Sequence, residues 1–279
     1  MRLAIPALAL LGACTEYDLN RDKPVEQEGE TDTALTDTGD GGATDTDSGE
    51  PAEDTGHTKV PPGGSTEALY AHSATVLYSV EPVAPYTVTA IGSFSGGGGS
   101  VEITDLAIDG DGRMIAIGFK DVYEVDPTNA RLTSLSSHSS ETNALSFLSD
   151  GRLIAGGSDR VYEVDPATGQ LGPAGDLAGW FFAGDMVGLP DGLLYCAASR
   201  SSSGSQTSLV VWDPVADAVV SEASTGVGSL YGVGWAEDTL FGFSSDGTIV
   251  TIDQSSGTAT VVARPGVVFY GAATNPWAW

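Results

Sequence analysis

The chain has 279 residues and a formal charge of −27, from 38 Asp and Glu against 11 Lys and Arg. This excess of carboxylates excludes a nucleic-acid binder of the usual basic kind, because the protein and the phosphate backbone would repel each other. Two cysteines cannot make a disulfide framework over this length, and no apolar run reaches the ~18 residues of a membrane-spanning helix.

The first 13 residues follow the pattern of a short secretory signal peptide. Arg2 supplies the positive charge, Leu3–Leu11 is an apolar stretch interrupted by Pro6, and two small residues stand before Cys14. The apolar stretch is too short to span a bilayer. We therefore expect residues 1–13 to be a signal peptide that is cleaved from a secreted protein.

The cleavage site resembles a known motif. Leu11-Gly12-Ala13-Cys14 is similar to the lipobox of bacterial lipoproteins, which consists of Leu, a small residue, Gly or Ala, and Cys. The resemblance implies that Cys14 is lipidated and its new N-terminus acylated, which anchors a protein stably to a membrane. Since Thr15 stands where inner-membrane lipoproteins of enterobacteria have Asp, the resemblance also favours the outer membrane of the cell envelope. The alternative is a chance cysteine after an ordinary signal peptide.

Residues 14–64 have the composition of a disordered tether. Between Thr15 and Gly64 there are 14 acidic and 3 basic residues, and large apolar residues are scarce. Such a segment cannot bury enough surface to offset the entropy of ordering, and its like charges extend it. The Asp-Thr-Asp spacing suggests calcium ligands, but no window has the alternating carboxylates, the central Gly and the final Glu of an EF-hand loop.

Residues 65–279 contain an internal repeat. Its motif is an apolar or aromatic pair followed by a short run that ends in an acidic residue and, in most copies, Pro. The copies are Leu77–Pro82, Val122–Pro127, Val161–Pro166, Val210–Pro214 and Val250–Gln254. The steps between their last residues are 45, 39, 48 and 40 residues. A period of this size is typical of the blades of a β-propeller.

A hairpin is predicted before each of the last four copies. The turns contain Asp111-Gly112, Asp150-Gly151, Asp191-Gly192 and, in degenerate form, Glu237-Asp238. Asp-Gly between alternating apolar residues is a strong hairpin signal, because both central positions of a two-residue turn prefer positive φ. Together with the repeat motif, each unit becomes four short antiparallel strands, which is the pattern of a propeller blade.

The fold class that follows is all-β, a five-bladed β-propeller in residues 65–279. The first unit, Ala68–Phe94, provides only three strands, and the chain after Tyr270 aligns with the start of an inner strand such as Tyr231–Trp235. We predict that this C-terminal strand closes the first blade, which leaves the ring without an open edge. The alternative is an open fragment that needs a partner.

The repeats resemble the bacterial propellers with Leu-Tyr-x-Val-Asp-Pro-x-Thr-Gly motifs, akin to the YVTN/NHL-like class. The best copy is Val161–Gly169. A lipobox, an Asp/Thr/Gly-rich tether and a small propeller are together similar to envelope lipoproteins of myxobacteria and their relatives. Because such propellers include both enzymes and binding modules, the resemblance implies a fold and leaves the function open.

The histidines and the second cysteine do not suggest a catalytic cluster. His57, His72 and His138 are far apart and have no metal-binding spacing. Cys196 stands among apolar strand residues, which favours a buried structural thiol over a nucleophile. We therefore predict no cofactor and no metal centre from these residues.

Six residues are predicted near one mouth of the central channel. Asn143 lies beside one inner-strand start and Trp180 in the loop before blade 4, while the hairpin alignment puts four others at equivalent inner-strand starts: Asp105, Asp185, Tyr231 and Tyr270. Aromatic rings beside carboxylates and amides suit a partly apolar ligand such as a sugar. The carboxylates could instead hold Ca²⁺. The structural alternative is that these side chains cap strands and plug the channel.

Three functions follow from this pattern. A lipid-anchored binding or scaffold module for an envelope protein or a glycan is favoured, since the carboxylates lack the clustered histidines of propeller enzymes. A hydrolase or lyase acting at the channel mouth is the alternative. A lectin with a sugar site in each blade would need repeated binding residues, and the inner positions differ between repeats. The 24 acidic against 7 basic residues of 65–279 favour a basic or cation-bridged partner, with membrane contact through the anchor only.

Overall fold

The computed structural model describes residues 67–97, 101–201 and 206–276 of the chain. The predicted signal peptide, Cys14, the tether through residue 64 and His57 lie outside these ranges. Within them the chain forms twenty β-strands, and none of the described segments is a helix with the length and apolarity needed to cross a bilayer.

The strands form five antiparallel sheets of four strands each. In chain order they are β1 (Leu69–His72), β2 (Val76–Val80), β3 (Val88–Ser93), β4 (Asp105–Ile108), β5 (Met114–Ile117), β6 (Asp121–Asp126), β7 (Arg131–Ser137), β8 (Ala144–Phe147), β9 (Leu153–Gly157), β10 (Arg160–Val164), β11 (Leu171–Asp176), β12 (Phe181–Gly188), β13 (Leu194–Ser199), β14 (Ser208–Asp213), β15 (Ala218–Ser224), β16 (Leu230–Ala236), β17 (Thr239–Ser244), β18 (Ile249–Ile252), β19 (Ala259–Ala263) and β20 (Gly271–Thr274). Blade 1 has the order β20-β1-β2-β3, and blades 2 to 5 follow as β4–β7, β8–β11, β12–β15 and β16–β19. The predicted five-bladed β-propeller is confirmed.

The C-terminal strand closes blade 1. β20 pairs antiparallel with β1 over four residue pairs, beginning with Gly271 opposite His72. The amide of Asn275 also donates a hydrogen bond to the carbonyl of Ala68, at 2.9 Å. The predicted closure is therefore confirmed, and backbone hydrogen bonds between distant parts of the sequence complete the ring.

The apolar core lies between neighbouring blades. The inner strands β4, β8, β12, β16 and β20 contact one another in that order around the central channel, and β20 contacts β4 in turn. Between blades 2 and 3, for example, Ile115 and Ile117 pack with Leu145 and Leu153. Because both faces of the inner strands are covered, β4, β8 and β20 are buried along their whole length, including polar residues such as Asp105 and Ser146.

The two faces of the propeller carry different loops. The upper face, where the inner strands begin, carries the connections between blades and the turns between second and third strands. The lower face carries the turns between third and fourth strands, and those between first and second strands of blades 2 to 5.

The acidic residue of the repeat motif is a turn former on the lower face. Its side chain accepts a hydrogen bond from the amide two residues ahead in four blades, at Asp126, Asp165, Asp213 and Asp253. Such a bond imitates a backbone turn and explains why Asp recurs at this position.

The predicted hairpins lie where expected, but their turn conformation differs. In blades 2 to 4 the turn has three residues and only its glycine has positive φ, at Gly112 (80°), Gly151 (87°) and Gly192 (82°). Such a turn takes a left-handed residue at its last position, so the preceding aspartate stays in the ordinary region. Two consecutive positive φ angles occur instead at Glu237 (50°) and Asp238 (54°), because the blade 5 hairpin has only two turn residues.

The closing strand gives a first testable prediction. A chain that ends at Val267 loses β20 and leaves one edge of β1 unpaired, so we expect the melting temperature to fall by ~10–20 °C. A permuted chain with residues 268–279 inserted between residues 66 and 67 keeps the same pairing as a hairpin and should melt within a few degrees of the parent. Circular dichroism during heating measures both, and equal melting of the truncated chain and the parent would contradict the prediction.

Candidate functional site

Five backbone amides converge on the channel near the upper face. They occupy equivalent positions of the five inner strands, one in each blade, at Leu106, Leu145, Met186, Val233 and Ala272. Two carboxyl groups, those of Asp105 and Asp185, accept hydrogen bonds from all five. We call the two sets the amide ring and the carboxyl pair.

The carboxyl pair links all five blades. Asp105 accepts the ring amide of its own blade 2 at 2.8 Å through Oδ1 and that of blade 3 at 2.6 Å through Oδ2. Asp185 accepts the amide of its own blade 4 at 2.5 Å through Oδ1, and those of blades 5 and 1 at 2.8 and 2.9 Å through Oδ2. Both residues are 0% exposed, so these bonds form away from competing water.

The other three blades have small residues at the corresponding position. Ala144, Gly232 and Gly271 stand where blades 2 and 4 have their aspartates. A Cβ added to Gly271 would lie 2.5 Å from Oδ1 of Asp105 and would collide with Nε2 of His72. Two side chains therefore fill the channel at this level while three blades leave room for them. The cavity below them has a volume of about 10 Å³, which is the size of a single water site.

Burial raises the pKa of both members of the carboxyl pair. The pKa of Asp105 is raised well above its usual value by burial first, then by the charge of Asp185 and a hydrogen bond between the two carboxyl groups. Burial also raises the pKa of Asp185 to about 7, while hydrogen bonds from Asp105 and from the ring amides oppose the rise. These directions describe a protonated Asp105 that donates to Asp185, as two buried carboxyl groups in contact require.

A buried histidine stands beside the pair. The Nδ1 atom of His72 lies 2.9 Å from the carbonyl oxygen of Ser73 and therefore donates to it. Its Nε2 faces Oδ1 of Asp105 at 3.8 Å and has no hydrogen-bond partner among the described residues. Burial lowers the pKa of His72 to about 4, which keeps the ring neutral beside the carboxyl pair.

The predicted mouth residues on blades 5 and 1 are offset from the carboxyl pair. Tyr231 and Tyr270 each precede by one residue the glycine that corresponds to Asp105, so the sequence alignment is wrong by one residue in these two blades. Their rings meet edge to face with centroids 6.3 Å apart, and Tyr270 is 37% exposed. The two tyrosines therefore share the upper mouth, while the carboxyl pair lies buried in the channel.

Trp180 lies away from the mouth. Its Nε1 donates to Oε2 of Glu222 at 3.0 Å, and the guanidinium of Arg200 lies 3.9 Å from the ring centroid. Glu222 belongs to β15, the outermost strand of blade 4, so Trp180 is placed at the periphery of the upper face. The structure does not bring it together with the carboxyl pair or with Tyr231 and Tyr270.

Asn143 lines a separate cleft on the upper face. We call this the upper-face cleft; its volume is about 260 Å³ and its lining is Phe119, Glu141, Thr142, Asn143, Ser158, Phe181 and Phe182. The Nδ2 of Asn143 donates to the carbonyl of Phe182 at 3.3 Å. Its Oδ1 is buried and has no hydrogen-bond partner among the described residues, so it is an unsatisfied acceptor that a group inserted into the cleft would satisfy.

Sequence reasoning missed Phe119, which is 51% exposed at the cleft. It stands in the tight turn between β5 and β6, beside Gly118 and Lys120. A large aromatic residue in such a turn has no strand partner to bury it, but the sequence pattern did not identify a turn at this position.

The remaining histidine and cysteine have structural contacts. Nδ1 of His138 hydrogen-bonds to the carbonyl of Ser140 at 2.7 Å, and Cys196 is fully buried in β13, as predicted. Burial raises the pKa of the Cys196 thiol, which keeps it protonated. Within the described parts of the chain, no three His, Cys, Asp or Glu side chains are arranged to hold a metal ion.

The comparisons with known proteins give limited similarity. No protein-family model matches the chain, and no curated protein matches it. Among solved structures, the structure of U3-55K is 12% identical and the crystal structure of RRP9 WD40 repeats is 14% identical, each with a TM-score of 0.43. Each alignment covers 68% of this chain and 58% of the other, so the chain spans less than two thirds of those structures' length.

The crowded channel predicts the effect of a single methyl group. Gly271→Ala should lower the free energy of unfolding by ~1–3 kcal/mol, because the added Cβ pushes against Asp105 and His72 in a filled channel. Gly172→Ala in β11 is the matched control, since nothing lies within 4 Å of its added Cβ. Chemical denaturation measures both variants. Equal free energies of unfolding would show that the channel can hold the added methyl group, which would contradict the prediction.

The carboxyl pair also predicts a pH dependence of stability. Because both folded pKa values are raised above the ordinary Asp value of 3.8, the folded state binds protons more strongly than the unfolded chain. The contribution of Asp185 is therefore lost as pH rises from about 4 to about 7, and that of Asp105 is lost over a range that extends to higher pH. His72, whose pKa is lowered from 6.5 to about 4, offsets part of this loss below pH 6.5. We expect the free energy of unfolding to fall as pH rises from about 5 to 7, by up to ~1.4 kcal/mol per pH unit for each proton that the folded state holds in excess of the unfolded chain. Asp105→Asn should have a lower free energy of unfolding at pH 7, and its free energy should change less with pH. Chemical denaturation at a series of pH values measures both proteins, and a parent whose free energy of unfolding is constant over this range would contradict the raised pKa values of the carboxyl pair.

Proposed function

We propose that this protein is a lipid-anchored binding module of the bacterial cell envelope, whose propeller presents its upper face to a glycan or protein partner. The observation that carries the proposal is the upper-face cleft. It combines an exposed ring at Phe119, a second aromatic wall at Phe181 and an unsatisfied acceptor at Asn143.

The chemistry of the cleft favours a sugar ring over a charged ligand. Binding sites combine apolar walls with a few oriented polar groups. The aromatic walls can cover the C–H faces of a sugar, and Oδ1 of Asn143 can accept a hydroxyl proton. Glu141 adds an exposed carboxylate at the rim, which also accepts from hydroxyl groups.

The carboxyl pair supports binding over catalysis in the channel. A hydrolase or lyase at the channel mouth needs carboxyl groups that exchange protons with substrate. All four oxygens of Asp105 and Asp185 accept backbone amides, and both side chains are buried. Their contacts are those of groups that hold the blades together.

The anchor part of the proposal rests on the lipobox. Lipidation at Cys14 would hold the chain to the outer membrane, and residues 14–64 would act as a flexible spacer between the bilayer and the propeller. The many carboxylates of the spacer would keep it extended and away from other anionic surfaces.

The two parts are tested separately on the full chain. For the cleft, a panel of neutral bacterial and plant oligosaccharides is screened by calorimetry, and the best ligand is titrated against variants. Asn143→Ala should weaken binding roughly tenfold, since a buried hydrogen bond is lost, and Phe119→Ala should weaken it similarly. Val215→Ala is the matched control, because Val215 is 90% exposed on the lower face.

For the anchor, Cys14→Ser is expressed in a bacterium that processes lipoproteins. The parent should incorporate labelled fatty acid and sediment with outer membranes, whereas the variant should do neither. Sugar binding that survives both cleft substitutions would overturn the site, and membrane association that survives Cys14→Ser would overturn the anchor.

A further inference from the structure

A second open groove lies on the lower face of blade 5. It runs between the turn after β16 and the turn after β18, and its volume is about 490 Å³. Apolar side chains of Trp235, Leu240 and Ile252 line it, together with the polar side chains of Asp238, Asp253 and Gln254. We call it the lower-face groove.

Trp235 distinguishes blade 5 from the other blades. In the register of the amide ring, its counterparts are Ile108, Phe147, Gly188 and Thr274. Ile108 and Phe147 are buried, whereas Trp235 is half-buried and faces the groove. A tryptophan that keeps part of its indole accessible is a common anchor for binding, because it offers a large rigid surface and the strongest aromatic attraction for cations.

The groove contains two carboxylates, those of Asp238 and Asp253. Asp253 accepts hydrogen bonds from Ser255 and Ser256, and these bonds lower its pKa to about 2. Asp238 lies in the two-residue turn of the hairpin. Among the residues that the structure describes, no Lys or Arg lines the groove, so none of them neutralises its charge locally.

The surroundings of the groove have the same sign. Acidic residues occupy the turns and strand ends of the whole lower face: Glu81, Asp109, Asp111, Asp126, Asp150, Asp165, Asp191, Asp213, Asp217, Glu237, Asp238 and Asp253. The basic residues there are Arg113, Arg131 and Arg152, of which Arg113 is paired with Glu124 at 2.9 Å and Arg152 with Asp150 at 2.8 Å. The lower face therefore attracts cations from a distance and repels anionic polymers.

We propose that the lower-face groove docks a basic segment of a partner protein, with an arginine side chain stacked on Trp235. A guanidinium is planar, stacks on aromatic rings and donates to carboxylates at the same time. In the groove it would stack on the indole and donate to Asp238 and Asp253. Charge complementarity favours this occupant over a neutral sugar, which is not attracted to the two carboxylates from a distance and does not neutralise their charge.

This inference is independent of the upper-face cleft. The groove lies on the opposite face and shares no residue with the cleft. If the test of one site fails, the test of the other site is unaffected.

The experiment titrates the full chain with three synthetic peptides, (Arg-Gly)4, (Lys-Gly)4 and (Gln-Gly)4, and with maltoheptaose. Calorimetry gives the dissociation constants at 50 and 300 mM salt. We expect the arginine peptide to bind more tightly than the lysine peptide, with at least a fivefold loss at high salt, and the glutamine peptide and the sugar not to bind at the groove.

Matched variants separate the groove from the general acidity of the face. Asp238→Asn should weaken binding of the arginine peptide at least fivefold. Asp111→Asn makes the same charge change on the distant turn of blade 2 and should change the dissociation constant less than twofold. Trp235→Leu should remove the preference for arginine over lysine, and Trp235→Phe should restore part of it, which separates stacking from a packing defect.

Three outcomes would overturn the proposal. Equal losses for Asp238→Asn and Asp111→Asn would mean diffuse attraction without a site. Stronger binding of maltoheptaose than of the arginine peptide, abolished in Trp235→Leu, would assign the groove to sugars. A dissociation constant for the arginine peptide above 1 mM at 50 mM salt would show that the groove does not bind a basic segment.

Discussion

The closed ring depends on two buried carboxyl groups that collect one backbone amide from every blade. Inner strands of a narrow propeller point amide groups into a channel too small for bulk water, and each such amide needs an acceptor. Asp105 and Asp185 supply four oxygens for five amides, and the proton that Asp105 keeps and donates toward Asp185 removes one negative charge. The remaining charge is balanced by the converging N–H dipoles. The hydrogen bonds of the pair therefore satisfy the amides of the channel and offset the cost of burying two carboxyl groups.

The same requirement fixes which residues each blade can carry at this level. Two aspartates occupy the available volume, so the other three blades have Ala144, Gly232 and Gly271. The difference between the blades at this position thus has a structural cause. The chemically distinctive residues of the channel serve its closure, which moves the search for ligands to the cleft and the groove on the two outer faces.

Much of the fold was predictable from the sequence, because the period of the repeat and the incomplete first unit reflect strong local patterns. The turn conformations and the alignment of Tyr231 and Tyr270 were not, since a one-residue offset barely changes an apolar pattern but reverses which side chain enters the channel. The convergence of Asp185 on the amides of Val233 and Ala272 joins residues that are 48 and 87 positions apart in the chain, and no local pattern encodes such contacts. Phe119 and Trp235 became candidates only once their exposure was known.

The position of β1 has a mechanical consequence. The chain joins the propeller at Leu69, at the lower end of β1, and β1 lies between β20 and β2 in the same sheet. A pulling force on the preceding segment, opposed by a load on the upper face, acts along the length of β1. It loads the hydrogen bonds on both sides of that strand in shear, all at once, whereas a strand at the edge of a sheet would be held on one side only.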